Sequence, residues 1–321
     1  MRLMRLVRDD THVGFMKLAK PAVLFSAALA LLSVLSLAVI GLNYGIDFRG
    51  GAVVMAETPE PRPIAEWRAA LGTLEAGDVA VTSISDPAAE LTGAARNSVM
   101  VRIGADDPNA AASEARALLE DAFPDVTILQ TDAVGAKVSG ELLQAGALAL
   151  LLAVLAVLVY IWLRFEWQFA VGAVIALAHD VLITVGVFSI TATEFNLSII
   201  AALLTIIGYS LNDTVVIFDR VRENLRKFKT RPLAEVLDLA INETLSRTFM
   251  TSGTTLIALI ALYVLGGEVI RGFTFGMIFG IVIGTYSSVF VAAAVLLWLG
   301  VTREPLDADA AAGVKFSDGG A

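Results

Sequence analysis

A long apolar stretch carries one carboxylate, Asp213, in the sequence Ile206-Ile-Gly-Tyr-Ser-Leu-Asn-Asp-Thr-Val-Val-Ile-Phe218. A charge at the centre of a membrane helix costs about 2.5–3.5 kcal/mol on insertion scales, so such a residue is seldom incidental. Intramembrane acids usually face a bundle interior or a wet cavity, and they often carry protons or ions. The stretch therefore indicates a membrane helix with a functional polar residue.

The rest of the chain repeats this apolar character. Hydrophobic residues make up 57% of the 321 residues. Charged residues make up 17%, which is below the roughly 25% usual in soluble domains. Six stretches are long enough to cross a bilayer once each, and they lie near 22–41, 144–163, 169–190, 197–218, 249–265 and 273–299. We predict an α-helical polytopic membrane protein with six transmembrane helices, the first being an uncleaved anchor.

Basic residues near the helix ends predict the orientation. Lys and Arg are concentrated before the first span and after the fourth, and such clusters favour the cytoplasmic side. An even number of spans then places both termini in the cytoplasm. Between residues 43 and 138, fifteen acidic residues outweigh seven basic ones, so this loop accounts for most of the net charge of −9. We expect the loop to form a domain outside the cytoplasm.

The outside loop shows a regular order of strand and helix patterns. Strand patterns rich in β-branched residues lie at 51–56, 79–84, 98–103 and 126–130. Helical patterns lie at 63–71 and 109–123, the second with apolar residues at spacings of three and four. The order βαββαβ predicts an α+β ferredoxin-like domain. The alternative is an irregular acidic loop.

A second polar segment opens the fifth span, where Arg247 precedes a row of hydroxyl groups on Thr248, Thr251, Ser252, Thr254 and Thr255. Because the fourth span runs inward and the fifth outward, Asp213 and Arg247 can lie at similar depth. An ion pair between them would offset part of the burial cost of each, and protonation of the acid would break it. We predict a proton-driven switch. The alternative is a static pair that fixes helix packing.

The third span contains His179 and Asp180 at its middle. A histidine beside an intramembrane acid can relay protons. Successive residues of a helix point about 100° apart, so only one of the two can face a given neighbour directly. The alternative is a buried polar contact without a role in transport.

Two groups of glycines predict close packing and a tight turn. The sixth span has glycine at every fourth position, which allows another helix to approach closely, in this chain or in a partner. Asp47, Gly50 and Gly51 follow the first span, where glycines permit a tight exit from helix to strand. The residues of the stripe are Gly272, Gly276, Gly280 and Gly284.

The remaining segments indicate connectors and exclude several classes of enzyme. The inside loop near 220–246 predicts an amphipathic helix, either a connector on the membrane surface or a docking site for a cytoplasmic partner. The tail at 301–321 is expected to be disordered. The chain has no cysteine, only two histidines and no phosphate-binding loop, so we expect neither an enzyme nor a metal or cofactor site.

Four motifs occur together in this chain. They are Asp47-Phe-Arg-Gly-Gly51, His179-Asp180, Asp213-Thr-Val-Val-Ile-Phe-Asp-Arg-Val-Arg-Glu-Asn224 and Arg247-Thr-Phe-Met-Thr-Ser-Gly-Thr-Thr255. In combination they resemble the SecF members of the SecD/SecF family of bacterial protein-export membrane proteins, which belongs to the RND superfamily. The resemblance extends over about residues 15–300.

The resemblance implies half of an RND-type transporter in the bacterial inner membrane, with a periplasmic domain. It implies a heterodimer with SecD, a wider complex with the SecYEG channel, YajC and SecA, and contact with membrane lipid but not with nucleic acid. The proton-motive force would complete export of an unfolded preprotein on the periplasmic side. The family's proton path would map onto Asp213 and Arg247, with Thr248, Thr251 and Thr255 nearby.

The predicted organisation has five parts: a cytoplasmic segment at 1–21, the first transmembrane helix at 22–42, the periplasmic domain at 43–140, a five-helix bundle at 141–300 and the cytoplasmic tail at 301–321. Two other functions stay open. An RND exporter of small molecules or lipids would need a larger outside domain. A structural subunit would hold a translocase together without moving protons.

Overall fold

The computed structural model describes residues 12–74, 76–84 and 97–301. The segment predicted at 1–21 lies partly outside these residues, and the tail predicted at 301–321 lies almost wholly outside them. The described part contains six helices long and apolar enough to cross a membrane, together with a four-stranded sheet. The predicted fold class is therefore confirmed.

We name the six helices the first to the sixth span. They run over Phe15–Val39, Ala136–Arg164, Trp167–Thr191, Leu197–Lys227, Leu233–Leu265 and Val269–Leu299. The first span begins with the short 3-10 helix Phe15–Leu18 and continues as an α-helix over Ala19–Val39. The sixth is interrupted by a π-helical segment, Ser288–Ala292, between the α-helices Glu268–Ser287 and Ala293–Leu299.

The fourth and fifth spans are longer than the apolar stretches predicted, at 31 and 33 residues. The amphipathic segment predicted as a connector on the membrane surface forms the first turns of the fifth span instead. Its apolar side chains, among them Val236 and Ile241, share a buried cluster with Val221 and Leu225 of the fourth span. Burial of one such side chain contributes about 1.5–3 kcal/mol, so the two helices extend together beyond their apolar stretches.

The outside domain has strands β1 (Gly51–Thr58), β2 (Val79–Ile84), β3 (Asn97–Ile103) and β4 (Thr127–Val134). Their order in the sheet is β2-β3-β1-β4, with every neighbouring pair antiparallel. Helices Ile64–Ala70 and Pro108–Ala122 follow β1 and β3 and cover one face of the sheet. This is the ferredoxin-like arrangement that the sequence predicts.

The segment between the first span and β1 attaches the sheet domain to the bundle. Asp47 lies in the short helix Ile46–Arg49, and its Oδ2 accepts a hydrogen bond of 2.8 Å from the backbone N–H of Leu197 at the start of the fourth span. Gly50 and Gly51 have φ angles of 78° and 121°, which L side chains adopt only with strain. A Cβ at Gly51 would also lie 2.6 Å from the carbonyl oxygen of Ile103.

Candidate functional site

A polar cluster surrounds Asp213 where the fourth, fifth and sixth spans meet. Asp213 is 3% exposed. The hydroxyl groups of Thr248 and Ser252 on the fifth span and of Thr285 on the sixth face its carboxylate. The hydroxyls of Ser252 and Thr285 are themselves hydrogen-bonded, with 2.9 Å between their oxygens. Any relative movement of the three helices would therefore change the surroundings of this acid.

One oxygen of this acid lacks a hydrogen-bond partner. Within the described residues, Asp213 Oδ2 and Thr248 Oγ1 are buried and make no hydrogen bond of normal geometry. Leaving a buried polar atom unpaired costs about 1–3 kcal/mol, and such atoms in folded proteins call for a specific reason. An acceptor kept open inside a membrane bundle is suited to taking up a proton.

Arg247 does not form the ion pair with Asp213 that the sequence led us to expect. Its side chain is exposed, and no ion pair joins the two residues in the part of the chain that the structure describes. The helix geometry gives the reason. Thr248 faces the acid, and the preceding residue points about 100° away around the helix. Arg247 therefore attracts the carboxylate only from a distance.

The other predicted hydroxyls of the fifth span do not reach the acid. Thr251 and Thr255 donate hydrogen bonds to carbonyl groups in the preceding turn of their own helix. Thr255 is also within 3.5 Å of the hydroxyl of Tyr209, which donates to it. Of the predicted row, Thr248 and Ser252 face Asp213, because they are four residues apart and lie on one side of the helix.

Asp180 lies in a second polar cluster and has a full set of partners. It is completely buried, and its Oδ2 accepts hydrogen bonds from Ser210 at 2.6 Å and from Ser287 at 2.8 Å. Its Oδ1 lies 2.9 Å from Nδ1 of His179. The donors belong to the third, fourth and sixth spans, so this acid ties the three helices together.

His179 contacts Tyr286 as well as Asp180. The two rings are tilted by 31°, with 6.4 Å between their centroids, and the Tyr286 hydroxyl donates to the carbonyl of Ala22 on the first span. Within the described residues, His179 Nε2 is buried without a hydrogen-bond partner. The two adjacent residues therefore serve different neighbours, as the helix geometry predicts.

The fourth and sixth spans contribute to both clusters. Ser210 and Asp213 are three residues apart on one face of the fourth span, and Thr285 and Ser287 are close together on the sixth. Thr285 and Ser287 are not among the site residues predicted from the sequence. The polar run from Thr285 to Ser288, which leads directly into the π-helical segment, was the available signal, since such segments are frequent at functional sites.

The glycine stripe packs against this chain's own fourth span. A Cβ added at Gly280 would collide with Ile206, which leaves no room for a side chain. The contacts at Gly276 and Gly284 are also close, and that at Gly272 is an ordinary van der Waals contact, so the stripe sets the distance between the helices that hold the two acids. The contacts are Gly272 with Ile199, Gly276 with Phe188 and Ala202, and Gly284 with Ser210 and Asp180.

A cavity of about 960 Å³ separates the uncovered face of the sheet from the ends of the spans that lie beneath it. An ion pair crosses it from Arg102 on β3 to Glu194 in the loop between the third and fourth spans. The cavity does not reach Asp213. In the part of the chain that the structure describes, no group of three or more His, Asp and Glu side chains could hold a metal ion.

Comparison with protein families gives two matches. The family model described as "Protein export membrane protein SecD/SecF, C-terminal" matches residues 114–302, and the model of the "SecD/SecF GG Motif" matches residues 35–54. The second match includes Asp47, Gly50 and Gly51, which attach the sheet domain to the bundle.

Curated relatives and solved structures are similar over most of the chain. A protein translocase subunit SecF of Cereibacter sphaeroides is 47% identical over 98% of this chain and 98% of its own length. One from Vibrio alginolyticus is 41% identical over 95% of each. The crystal structure of SecDF, a translocon-associated membrane protein from Thermus thermophilus, matches with a TM-score of 0.79 and 34% identity. The match covers 91% of this chain but 39% of the SecDF chain.

Proposed function

Because this chain belongs to the SecD/SecF family of protein-export membrane proteins, we propose that it is the SecF-type subunit of a protein translocase and pairs with a SecD protein. The similarity to 39% of a SecDF chain supports this pairing, since the remainder of that chain leaves room for a SecD part. We propose the bacterial inner membrane as its location, with both termini in the cytoplasm. The SecYEG channel, YajC and SecA would complete the assembly that moves an unfolded preprotein.

We further propose that the proton-motive force drives this subunit through Asp213. The observation that supports it is the open Oδ2 oxygen of this acid, buried among hydroxyls from two other helices. A proton that binds there removes the negative charge, and with it the attraction to Arg247 and to the surrounding hydroxyl groups. The three helices can then shift relative to one another. Movement of one charge through 100 mV supplies roughly 2.3 kcal/mol, enough to bias such a shift.

Asp180 has a different role in this proposal. Both of its oxygens are occupied by donors from the third, fourth and sixth spans. A proton arriving there would have to displace a hydrogen bond that is already made. We propose that Asp180 and His179 hold the helices in register while Asp213 changes its charge.

The substitution Asp213→Asn tests the proton-driven function. Gradient-dependent export of a test preprotein would be measured with inner-membrane vesicles at matched expression, with co-purification of SecD as the assembly control. The matched variant is Asp219→Asn, which removes the same charge from the same helix at an exposed site paired with Arg164. We expect Asp213→Asn to lose the gradient-dependent part of export and Asp219→Asn to retain it.

The alternative, a structural subunit that moves no protons, predicts the opposite result. If Asp213→Asn still binds SecD and keeps gradient-dependent export, the acid is a packing element. The proton-driven function would then be wrong, while membership of the family would stand.

A further inference from the structure

A basic groove lies where the second span ends beside the last turns of the fourth span. Its volume is about 470 Å³, and it opens to the surface. The residues that the fourth span contributes to the groove begin at Asp219, six residues after Asp213 on the same helix. Neither the proton path nor the attachment of the sheet uses the groove. It is lined by Arg164, Asp219, Arg222, Glu223, Arg226 and Lys227.

The charges in this groove do not balance. One acid, Asp219, is paired with Arg164 at 2.8 Å. The other, Glu223, is paired at 2.9 Å with Arg220, which does not line the groove. Within the described residues, none of the three other cations, on Arg222, Arg226 and Lys227, is ion-paired with a carboxylate. The groove therefore has an excess of positive charge to offer an anion.

Two of the basic side chains are held in position before any ligand arrives. The guanidinium of Arg164 lies 5.0 Å above the ring of Phe165 and is fixed from the other side by Asp219. Arg222 donates a hydrogen bond of 3.3 Å to the carbonyl of Arg164 at the end of the second span. This arrangement differs from a diffuse band of basic residues, since guanidinium groups that are already oriented lose less freedom when they bind a phosphate.

The position of the groove in the membrane identifies the kind of anion. Trp162 and Leu163 are 65% and 79% exposed, and Trp167 is 55% exposed, so large apolar side chains lie within three residues of Arg164 along the chain. Tryptophan is enriched at the membrane–water interface, which places the groove at the depth of lipid headgroups. A free phosphate would gain nothing from this depth, whereas the phosphate of a phospholipid headgroup already lies there.

We infer that this groove binds the phosphate of an anionic membrane phospholipid, whose acyl chains enter the bilayer beside the end of the second span. Basic pockets between membrane helices on the cytoplasmic side bind such headgroups in general. The inference does not depend on proton transport by Asp213. A lipid in the groove would join the second span to the fourth and so stabilise the cytoplasmic end of the bundle.

The experiment uses the quenching of tryptophan fluorescence by brominated lipid. Trp67 is buried in the sheet domain, so in a Trp298→Phe background the remaining exposed tryptophans are Trp162 at the end of the second span and Trp167 at the start of the third, on either side of Arg164 in the chain. The full chain is reconstituted in phosphatidylcholine vesicles with about one fifth of the lipid replaced by dibrominated phosphatidylglycerol or dibrominated phosphatidylcholine. The ratio of quenching gives the preference for the anionic lipid.

Matched double variants distinguish a specific lipid-binding site from non-specific electrostatic attraction to anionic lipid. Arg222→Gln/Arg226→Gln removes two charges from the groove, and Lys229→Gln/Arg231→Gln removes two from the neighbouring surface outside it. One cation near an anionic surface favours an anionic lipid about five-fold. We expect an unmodified preference of about ten-fold, a fall to about two-fold or less in the groove variant, and a smaller change in the control.

Three results would overturn the inference. Brominated phosphatidylglycerol would quench no more than brominated phosphatidylcholine, or the two double variants would lower the preference equally, which would indicate diffuse attraction. In the third case, inorganic phosphate would release the lipid when chloride of the same ionic strength does not, and the groove would then be a site for free phosphate.

Discussion

Replacing Gly280 by alanine tests how tightly the sixth span is seated on the fourth. The added methyl group would collide with the side chain of Ile206. Ile206 is itself 1% exposed and belongs to a packed cluster, so it has little room to move away. The sixth span must then shift outward, and it carries Thr285 and Ser287, which approach the two buried acids.

The expected cost follows from two opposing effects. One extra methyl group in a packed core costs about 1–3 kcal/mol. Alanine is a better helix former than glycine by up to about 1 kcal/mol, which offsets part of this cost. The control is Gly208→Ala on the fourth span, where an added Cβ would have no neighbour within 4 Å. We therefore expect Gly280→Ala to be less stable than Gly208→Ala by about 1–3 kcal/mol.

The assay is the reversible unfolding of the purified full chain by sodium dodecyl sulfate in detergent micelles. A double-mutant cycle with Ile206→Ala identifies the collision. If the methyl groups of Ile206 are the obstacle, Gly280→Ala should cost about 1–3 kcal/mol less in that background. Equal stabilities of Gly280→Ala and Gly208→Ala, or strict additivity in the cycle, would refute this account of the stripe.

Three further predictions follow from the described contacts. A double-mutant cycle between Arg102→Gln and Glu194→Gln should give a coupling energy of about 1 kcal/mol or less, because both side chains are partly exposed. This coupling should be lost in about 0.5 M salt, and a coupling that persists in salt would contradict the prediction. Trp67→Ala should destabilise the sheet domain by about 3–5 kcal/mol, measured by chemical unfolding, since the ring is fully buried. Asp180→Ala should cost about 2 kcal/mol from three hydrogen bonds, and Asp213→Ala should cost less; the reverse order in the same assay would exchange their proposed roles.

The sequence predicts the parts of the fold that depend on local pattern. The third span, expected at 169–190, is observed at Trp167–Thr191, and the strand expected at 79–84 has those bounds. The extension of the fourth span to Lys227 could not be seen from hydropathy. It is rich in charge, and it is helical because Val221 and Leu225 pack on the start of the fifth span.

The residues of the candidate site can likewise be predicted from the sequence only in part. Asp213 can be found from the sequence because a carboxylate in an apolar helix is costly wherever it points. The polar run from Thr285 to Ser288 is visible in the sequence, but serine and threonine are also tolerated in helices by bonding to their own backbone. Only the partner across the interface decides which of these hydroxyls approach an acid. The expected pair with Arg247 does not form because direction around a helix, as well as depth, decides which residues meet.

In the proposed function, the length of the fifth span would make it a lever. Its 33 residues make a rod of about 50 Å, while the hydrocarbon core is about 30 Å thick. About 28 Å of helix separates Ser252, beside the buried acid, from Leu233 at the start of the span, so a tilt of about 10° at Ser252 would move Leu233 by about 5 Å. A small tilt of the helix next to the acid would thus become a displacement of about one helical pitch at Leu233. Force applied to the far arm is transmitted back to the acid by the same rod.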